Sequence, residues 1–445
     1  MPVFVVGEDI LPGIPMKHHM IDCPRCMYAT FPRHGISISP NFKFSRPVPT
    51  AHLSISPNFK FSRPVPTAHP FDKLCPDITP ATASAFTQAR SNLSHSAFID
   101  LNRNGIVSPY YEDGIYKKWR TYRLLAVDGS KLVLPPSNEI REEFGSLQTT
   151  DNKGNVHGEY NAAVASVLFD ALNGLAIDSV LSHCRSSEQR LAIGHLKYVH
   201  SGDLLLFDRG YPSYEFLASI AQRSADYLGR CSRGSFKQAQ KMFEDDTITS
   251  LITTIKPPAS LSKKKLKELG LPQELTVRFI RVTLSTGETE VLVTSILDES
   301  LKPDDFKELY YLRWGIETYY HILKSHLALE NFSGYTVESV KQDFYAMVFM
   351  TSLEAVLIED AQAVLDAKTN KNKQIVNRAI SFNALKNNVI HLFHSDVSIE
   401  IVLDKLTALF LSTPTMRRKG REVDKKKSTP GKIINFLRRE KKVIF

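Results

Sequence analysis

The sequence predicts an α/β fold, and three observations carry that prediction. Two apolar runs, 123–128 and 204–208, are long enough for a buried strand and each ends in an acidic residue. Residues 187–198 lie between these runs and have apolar residues at helical spacing. Strands that alternate with helices in this way are typical of a sheet flanked by helices.

The remaining elements follow along the chain. The further predicted strands, each apolar or alternating in polarity, are 131–134, 161–169, 175–181, 275–284 and 291–297. The further predicted helices, each with a helical apolar period, are 83–102, 214–223, 309–327, 343–367 and 382–411.

The first seventy residues differ from the rest of the chain. The sequence of residues 37–52 is repeated without substitution at 54–69. This segment is rich in Pro and Ser and has no strand or helix period. Solenoid folds need at least three copies with apolar stacking positions, which this repeat lacks. The composition therefore predicts that residues 1–70 are disordered.

Charge is distributed unevenly along the chain. There are 56 Lys and Arg against 47 Asp and Glu, a net charge of +9, and residues 416–445 alone hold 12 basic against 3 acidic residues. A neutral body with a basic tail suits a polyanionic partner, although a solvated tail explains the same composition.

Membrane and secreted proteins are poorly supported classes. Apolar stretches such as 345–358 are interrupted by Thr, Ser and Glu and fall short of the roughly 20 residues that a span needs. The chain begins without the pattern of a signal peptide, and five cysteines in 445 residues make no disulfide framework. We expect a cytoplasmic protein. His18 and His19 precede a Cys-x-x-Cys pair at 23–26, which is weak support for a zinc site.

Two acids stand where predicted strands end: Asp128 in Val-Asp-Gly-Ser and Asp208 in Phe-Asp-Arg-Gly-Tyr. An acid at such a place often does no more than start a turn. In open α/β sheets, however, ligand sites gather at the carboxyl ends of strands. Two acids on neighbouring strands would form an oxygen-rich site suited to Mg²⁺.

A third set of polar residues lies in the predicted helix 309–327. Tyr310, Arg313, Glu317 and Lys324 follow one another at spacings of three, four and seven positions, which at about 100° per residue places them on one narrow stripe. A solvated helix face would explain Arg313 and Glu317 as an i,i+4 ion pair. It would not explain why Tyr310 and Lys324 point the same way.

Together these motifs resemble the DDE transposases of the insertion-sequence-four family, which are enzymes of bacterial mobile elements. The resemblance rests on the two Asp motifs and on the string Tyr-x₂-Arg-x₃-Glu-x₆-Lys, whose spacings agree with that family's signature. It covers residues from about 82 to the end of the chain.

The resemblance implies a ribonuclease-H-like mixed sheet flanked by helices, with a β-rich insertion between the second Asp and the Glu and a helical C-terminal part. It implies that Asp128, Asp208 and Glu317 bind two Mg²⁺ ions, for which Mn²⁺ would substitute. It further implies that Tyr310, Arg313 and Lys324 contact DNA phosphates.

The expected organisation follows from these boundaries. The predicted regions are a disordered segment (1–70), a helical N-terminal remnant (71–120), the catalytic domain (121–367) with its β insertion (about 225–300), a C-terminal helical region (368–411) and a basic tail (412–445). The resemblance further implies a helical N-terminal region that helps to bind the element's ends. In this sequence the repeated segments 37–52 and 54–69 occupy that position.

The predicted function is metal-dependent cleavage and strand transfer of DNA at the ends of an insertion sequence. The predicted partners are double-stranded DNA, as terminal inverted repeats and target, and a second copy of the chain in a homodimer on paired ends, associated with the nucleoid and not with a membrane. Two alternatives stay open: a ribonuclease-H-like nuclease, and an inactive DNA-binding relic of a transposase.

Overall fold

The computed structural model describes residues 83–150, 155–284, 286–369, 372–393 and 398–416. The predictions for the tandem repeat, for the His and Cys residues near the N-terminus and for the basic residues after Met416 lie outside these ranges. Within them, no helix combines the length and apolar character that crossing a membrane requires.

One large mixed sheet organises the described part of the chain. Its strands are β1 (Arg123–Val133), β2 (Ser146–Thr150), β3 (Val156–Asp170), β4 (Ala176–His183), β5 (Asp203–Phe207), β6 (Asp226–Cys231), β7 (Ser250–Ile255), β8 (Leu275–Thr283) and β9 (Thr289–Thr294). Two short strands, β10 (Gln374–Ile375) and β11 (Thr415–Met416), pair with each other outside it.

The strand order identifies the fold. β3 pairs antiparallel with β1 on one side and with β4 on the other, whereas β5 runs parallel to β1, and β6 parallel to β5. Three antiparallel strands followed by two that run parallel to the first form the ribonuclease-H-like sheet that was predicted. β9, β8 and β7 continue this sheet beyond β6 through antiparallel pairs, so the β-rich insertion does lie between Asp208 and Glu317.

Helices cover both faces of the sheet. They are α1 (Ala83–Ser91), α2 (Ser96–Asn102), α3 (Ser108–Glu112), α4 (Asn138–Phe144), α5 (Glu188–His195), α6 (Tyr214–Ala221), α7 (Lys237–Glu244), α8 (Lys263–Glu268), α9 (Pro303–Tyr311), α10 (Trp314–His321), α11 (Val337–Leu357), α12 (Glu359–Asp366), α13 (Arg378–Phe393) and α14 (Ile399–Ser412). Two π-helical turns, Arg103–Val107 and Ile322–His326, continue α2 and α10.

The core has two parts, one on each face of the sheet. Leu125 and Val127 of β1 belong to one cluster of buried apolar residues, and Leu124 and Ala126 belong to the other. Because both faces of the strand are covered, its sequence is a continuous apolar run and not an alternation. Residues of α6 and α14 pack in the first cluster, and residues of α9 and α10 pack in the second.

Two predicted strands are one. Residues 123–128 and 131–134 were expected to be separate, but β1 is continuous because its ladder with β3 runs unbroken from Leu125 to Val133. Gly129 and Ser130 stay in extended conformation within that ladder, where the sequence suggested a turn.

Four predicted helices are interrupted. Residues 83–102 form α1 and α2, and residues 382–411 fall in α13 and α14. The predicted helix 343–367 begins earlier than expected, at a Thr336 cap, and is divided at Ile358 into α11 and α12. The predicted helix 309–327 tightens between α9 and α10, where Leu312 and Arg313 donate their backbone N–H groups three residues back, to Leu309 and Tyr310. The angles of a uniform α-helix therefore do not apply exactly across this segment.

Candidate active site

Asp128 and Asp208 lie on neighbouring parallel strands at the same edge of their pairing. The last residue pair between β1 and β5 is Ala126 with Leu206, and each acid lies two positions beyond that pair. Asp208 directly follows β5, whereas Asp128 is inside β1, since β3 continues to pair with it through Val167. The expectation that Asp128 ends a strand is wrong, but it does stand where the parallel part of the sheet ends.

The segment from α9 to the second π-turn packs against this edge. The Tyr310 hydroxyl donates to Asp208 Oδ1 at 3.3 Å. The Tyr320 hydroxyl lies 2.9 Å from the backbone oxygens of Asp128 and Ala165, and its single proton is donated to one of them or shared between both. Further along, Lys324 Nζ donates to the backbone oxygen of Lys131 at 2.6 Å. The segment that carries the predicted stripe is thus bound to β1 and to the residue after β5.

Arg313 and Glu317 form a close ion pair that is not a surface pair. Arg313 Nη2 lies 2.8 Å from Glu317 Oε1, and the two side chains are 3% and 37% exposed. The Arg313 guanidinium also lies over the rings of Tyr310 and Trp314, and its Nε has no hydrogen-bond partner. Because Nε is itself buried, an anion would reach this donor only after the Arg313 side chain moves.

Asp208 has a second basic neighbour that the sequence did not reveal. Arg230 on β6 donates to Asp208 Oδ1 through Nε at 2.8 Å and through Nη2 at 2.7 Å, and it also pairs with Glu290. Burial would raise the pKa of Asp208, but the backbone N–H of Arg209 and the charge of Arg230 outweigh it and lower that pKa. The available signal was a charged residue in a short strand, β6, which also holds Asp226.

Asp128 has a different environment. Burial is the largest influence and raises its pKa to about 6, helped by the negative charges of Glu188 and Asp208. The Gly129 N–H, 2.9 Å from Oδ1, and the charge of Arg313 act in the opposite direction. The carboxylates of this edge therefore repel one another, and a cation between them would relieve that repulsion.

The donor chemistry fits a divalent cation in part. Asp128 and Asp208 offer carboxylate oxygens, the ligands that Mg²⁺ prefers. Among the described residues, however, no group of three or more His, Cys, Asp or Glu side chains is arranged to hold a metal ion. Glu317 is bonded to Arg313, so its assignment as a third ligand stays a prediction.

Comparison with known proteins identifies a family for the region that holds this sheet. The family model described as "Transposase DDE domain" matches residues 119–353, more than half of the chain and a range that contains Asp128, Asp208 and Glu317. The chain belongs to this family of transposase domains.

Two curated bacterial proteins show the same relationship at lower coverage. The chain is 26% identical over 143 residues to "Putative transposase InsZ" of Escherichia coli, which covers 32% of this chain and 47% of that protein. It is 26% identical over 166 residues to "Putative transposase y4zB" of Sinorhizobium fredii, 36% of this chain and 44% of that protein. The chain thus matches less than half the length of either relative.

Among solved structures, a piggyBac transposase synaptic complex with hairpin DNA resembles the chain with a TM-score of 0.39 and 10% identity. The alignment covers 82% of this chain and 70% of that one.

Proposed function

We propose that the chain is a DDE transposase of the insertion-sequence-four type, which cleaves DNA at the ends of an insertion sequence and transfers the freed strand. One observation carries this proposal: Asp128 and Asp208 at one edge of the sheet are tied to the Tyr-Arg-Glu-Lys segment by the hydroxyls of Tyr310 and Tyr320. The family match supports a transposase, and the motif spacing supports the type.

The site would work on a phosphodiester. In the proposed site Asp128, Asp208 and Glu317 hold two divalent cations, Mg²⁺ or Mn²⁺, which would offset charge on the attacking and leaving oxygens. Water attacks the phosphorus and the 3′-oxygen leaves as a hydroxyl. That 3′-hydroxyl then attacks a second phosphodiester, so one P–O bond forms and one breaks in each step.

The basic residues have separable roles in this proposal. Arg313, buried and with its Nε unused, can grip a phosphate through two donors. Lys324 would supply a point charge to a neighbouring phosphate by leaving the Lys131 carbonyl. Arg230 holds Asp208 ionised and oriented, and Tyr310 donates to the same carboxylate oxygen, Oδ1.

The proposed partners are double-stranded DNA, as the element's inverted repeats and its target, and a second copy of the chain on paired ends, in the cytoplasm at the nucleoid. The basic residues 417–445, with 12 Lys and Arg, would add affinity for the phosphate backbone that does not depend on base sequence. A plain nuclease of the same fold would use the same acids but yield no strand-transfer product.

The decisive experiment replaces Glu317 with Gln in the full chain. We expect Glu317→Gln to lose cleavage of a Mg²⁺-supplied duplex carrying the end of the element that encodes the chain, and to keep DNA binding, because a ligand of the cation is removed and no phosphate contact is. Glu268→Gln is the matched control, since Glu268 lies 61% exposed on α8. Gel assays would measure binding, cleavage and strand transfer separately.

Cleavage by Glu317→Gln at the parental rate would contradict the assignment of Glu317. A parent that cuts without transferring strands would favour the nuclease. A parent that binds DNA but never cuts it would leave only the relic.

A further inference from the structure

Glu188 is a carboxylate beside Asp128 that neither the motifs nor the family match assigns. It is the first residue of α5, after the Ser187 cap. A Cβ added to Gly129 would lie 2.9 Å from Glu188 Cγ and Cδ and 3.2 Å from its Oε1. The Glu188 side chain therefore lies across Gly129, next to Asp128, in space that is open because position 129 has no side chain.

Tyr211 provides a second, independent sign that something binds here. Its side chain is 2% exposed, and its hydroxyl has no hydrogen-bond partner. A buried hydroxyl without a partner costs free energy, so the native site needs an acceptor for it. Burial raises the pKa of Tyr211, and so do the charges of Asp128, Glu188 and Asp208, whereas the charge of Arg313 lowers it.

The start of α5 is fixed against the Tyr211 turn. Gln189 Nε2 donates to the Tyr211 backbone oxygen at 2.8 Å and to Ser213 Oγ at 2.7 Å. The Tyr211 N–H donates to the backbone oxygen of Asp208 at 3.0 Å. The positions of Glu188, Tyr211 and Asp208 are thereby linked through short hydrogen bonds.

The end of α5 is fixed by a buried polar chain. His195 lies 3.0 Å from Ser166 Oγ through Nε2 and 2.8 Å from Asp178 Oδ2 through Nδ1. Ser166 and His195 are 0% exposed, so these hydrogen-bonded side chains cannot receive a substrate as a hydrolase triad does. Ser166 pairs directly with Gly129 between β3 and β1, so this chain holds α5 in register with the strand that carries Asp128.

We propose that Glu188 is a fourth active-site carboxylate, which shares a divalent cation with Asp128, and that the Tyr211 hydroxyl donates to this carboxylate or to a water bound beside it. The inference rests on the proposed function and extends it, because Glu188 would join the site in addition to Glu317. The proposal also explains why Glu188 lies beside Asp128. Glu317, by contrast, is bonded to Arg313.

The test measures metal binding without any DNA. Mn²⁺ is titrated by calorimetry into the full chain and into Glu188→Gln, Asp128→Asn and the control Glu142→Gln, an exposed residue of α4. We expect Glu188→Gln and Asp128→Asn each to weaken Mn²⁺ binding by about 10–100-fold, the range seen when carboxylate support of a metal is removed. The control should bind as the parent does, and circular dichroism of each metal-free variant checks its fold.

Two more variants keep the inference testable if Glu188→Gln folds poorly. Gly129→Ala keeps the Glu188 carboxylate but pushes it away from Asp128, because the added Cβ would lie 2.9 Å from Glu188 Cγ and Cδ. It should therefore also weaken Mn²⁺ binding. Tyr211→Phe should weaken it by a few-fold, and parental affinity in that variant would remove the hydroxyl from the proposal.

The outcomes separate this inference from the proposed function. Parental Mn²⁺ affinity in Glu188→Gln and in Gly129→Ala, together with a loss in Asp128→Asn, would overturn the role of Glu188 and leave the proposed transposase intact. A parent that binds no Mn²⁺ would overturn both.

Discussion

At the residue scale, each acid of the site has a cation nearby. Asp208 is bonded to Arg230, and the charge of Arg313 acts on both Asp128 and Asp208. Carboxylates at the edge of a buried sheet repel one another unless positive charge lies among them. The two arginines supply that charge in the protein itself, which explains how so acidic an edge is compatible with folding.

Lys324 gives a prediction at this scale. Its ammonium group donates to the Lys131 carbonyl and so lies beside β1, three positions beyond Asp128. Lys324→Ala should weaken DNA binding and lower the slope of log K against log salt by about 0.9, because one phosphate contact and its released counterion are lost. Filter binding over a salt series measures this slope.

Lys264→Ala is the control, since Lys264 is 87% exposed on α8. An unchanged slope in Lys324→Ala would show that Lys324 contacts no phosphate and serves only to tie its helix to β1.

Sequence reasoning reached some residues of the site and not others for physical reasons. Asp128 and Asp208 could be predicted because each follows a long apolar run in the sequence. Glu188 could not be predicted, since an acidic residue in the first turn of a helix is favoured in any protein. Arg230 is one of two charged residues in β6, and its partner Asp208 is 22 residues away, a pairing that only the sheet creates.

At the element scale, several helices that the sequence predicts as continuous are interrupted in the structure. The tightening at Leu312 and Arg313 involves neither Gly nor Pro, and both residues keep right-handed helical backbone angles. No local signal therefore marks it. The parallel core was predictable because its strands are buried on both faces and read as unbroken apolar runs.

Two glycines make a matched prediction about elements. A side chain on Gly229 of β6 would overlap the ring of Phe207 on β5, which is fully buried. Gly229→Ala should therefore cost about 3 kcal/mol or more of unfolding free energy. Gly194 in α5 has open space around its Cα, so Gly194→Ala should gain about 0.5–1 kcal/mol. Urea unfolding compares both with the parent, and equal stabilities would contradict the β5–β6 packing.

At the scale of the whole molecule, helices outside the matched family region belong to the same body. Arg90 on α1 donates to Gln342 at 2.7 Å and to Asp343 at 2.8 Å, both on α11, and also to Ser333. These contacts cross the boundary that the sequence predicted at residue 120. That boundary describes sequence character, while the contacts join α1 to α11, whose residues pack in the core beside the sheet.

Arg90 therefore gives the last prediction. Asp343 is 1% exposed in its pair with Arg90, and removing one partner of a buried pair leaves an uncompensated charge. Arg90→Ala should lower the unfolding free energy by about 3 kcal/mol. Lys341 lies on α11 with Asp343 and forms a more exposed pair with Glu143 of α4. Lys341→Ala should cost about 1 kcal/mol or less.

The pH dependence of that loss follows from the same pair. Burial raises the pKa of Asp343, and the charge of Arg90 opposes this rise, so the pKa should rise further in Arg90→Ala. A carboxyl whose folded pKa lies above its unfolded value favours the folded state at low pH and loses that contribution as pH rises through the folded pKa. The deficit of Arg90→Ala against the parent should thus be smaller at pH 5 than at pH 8 in urea titrations. A deficit that is equal at both pH values, or larger at pH 5, would show that Asp343 does not depend on Arg90 for its charge.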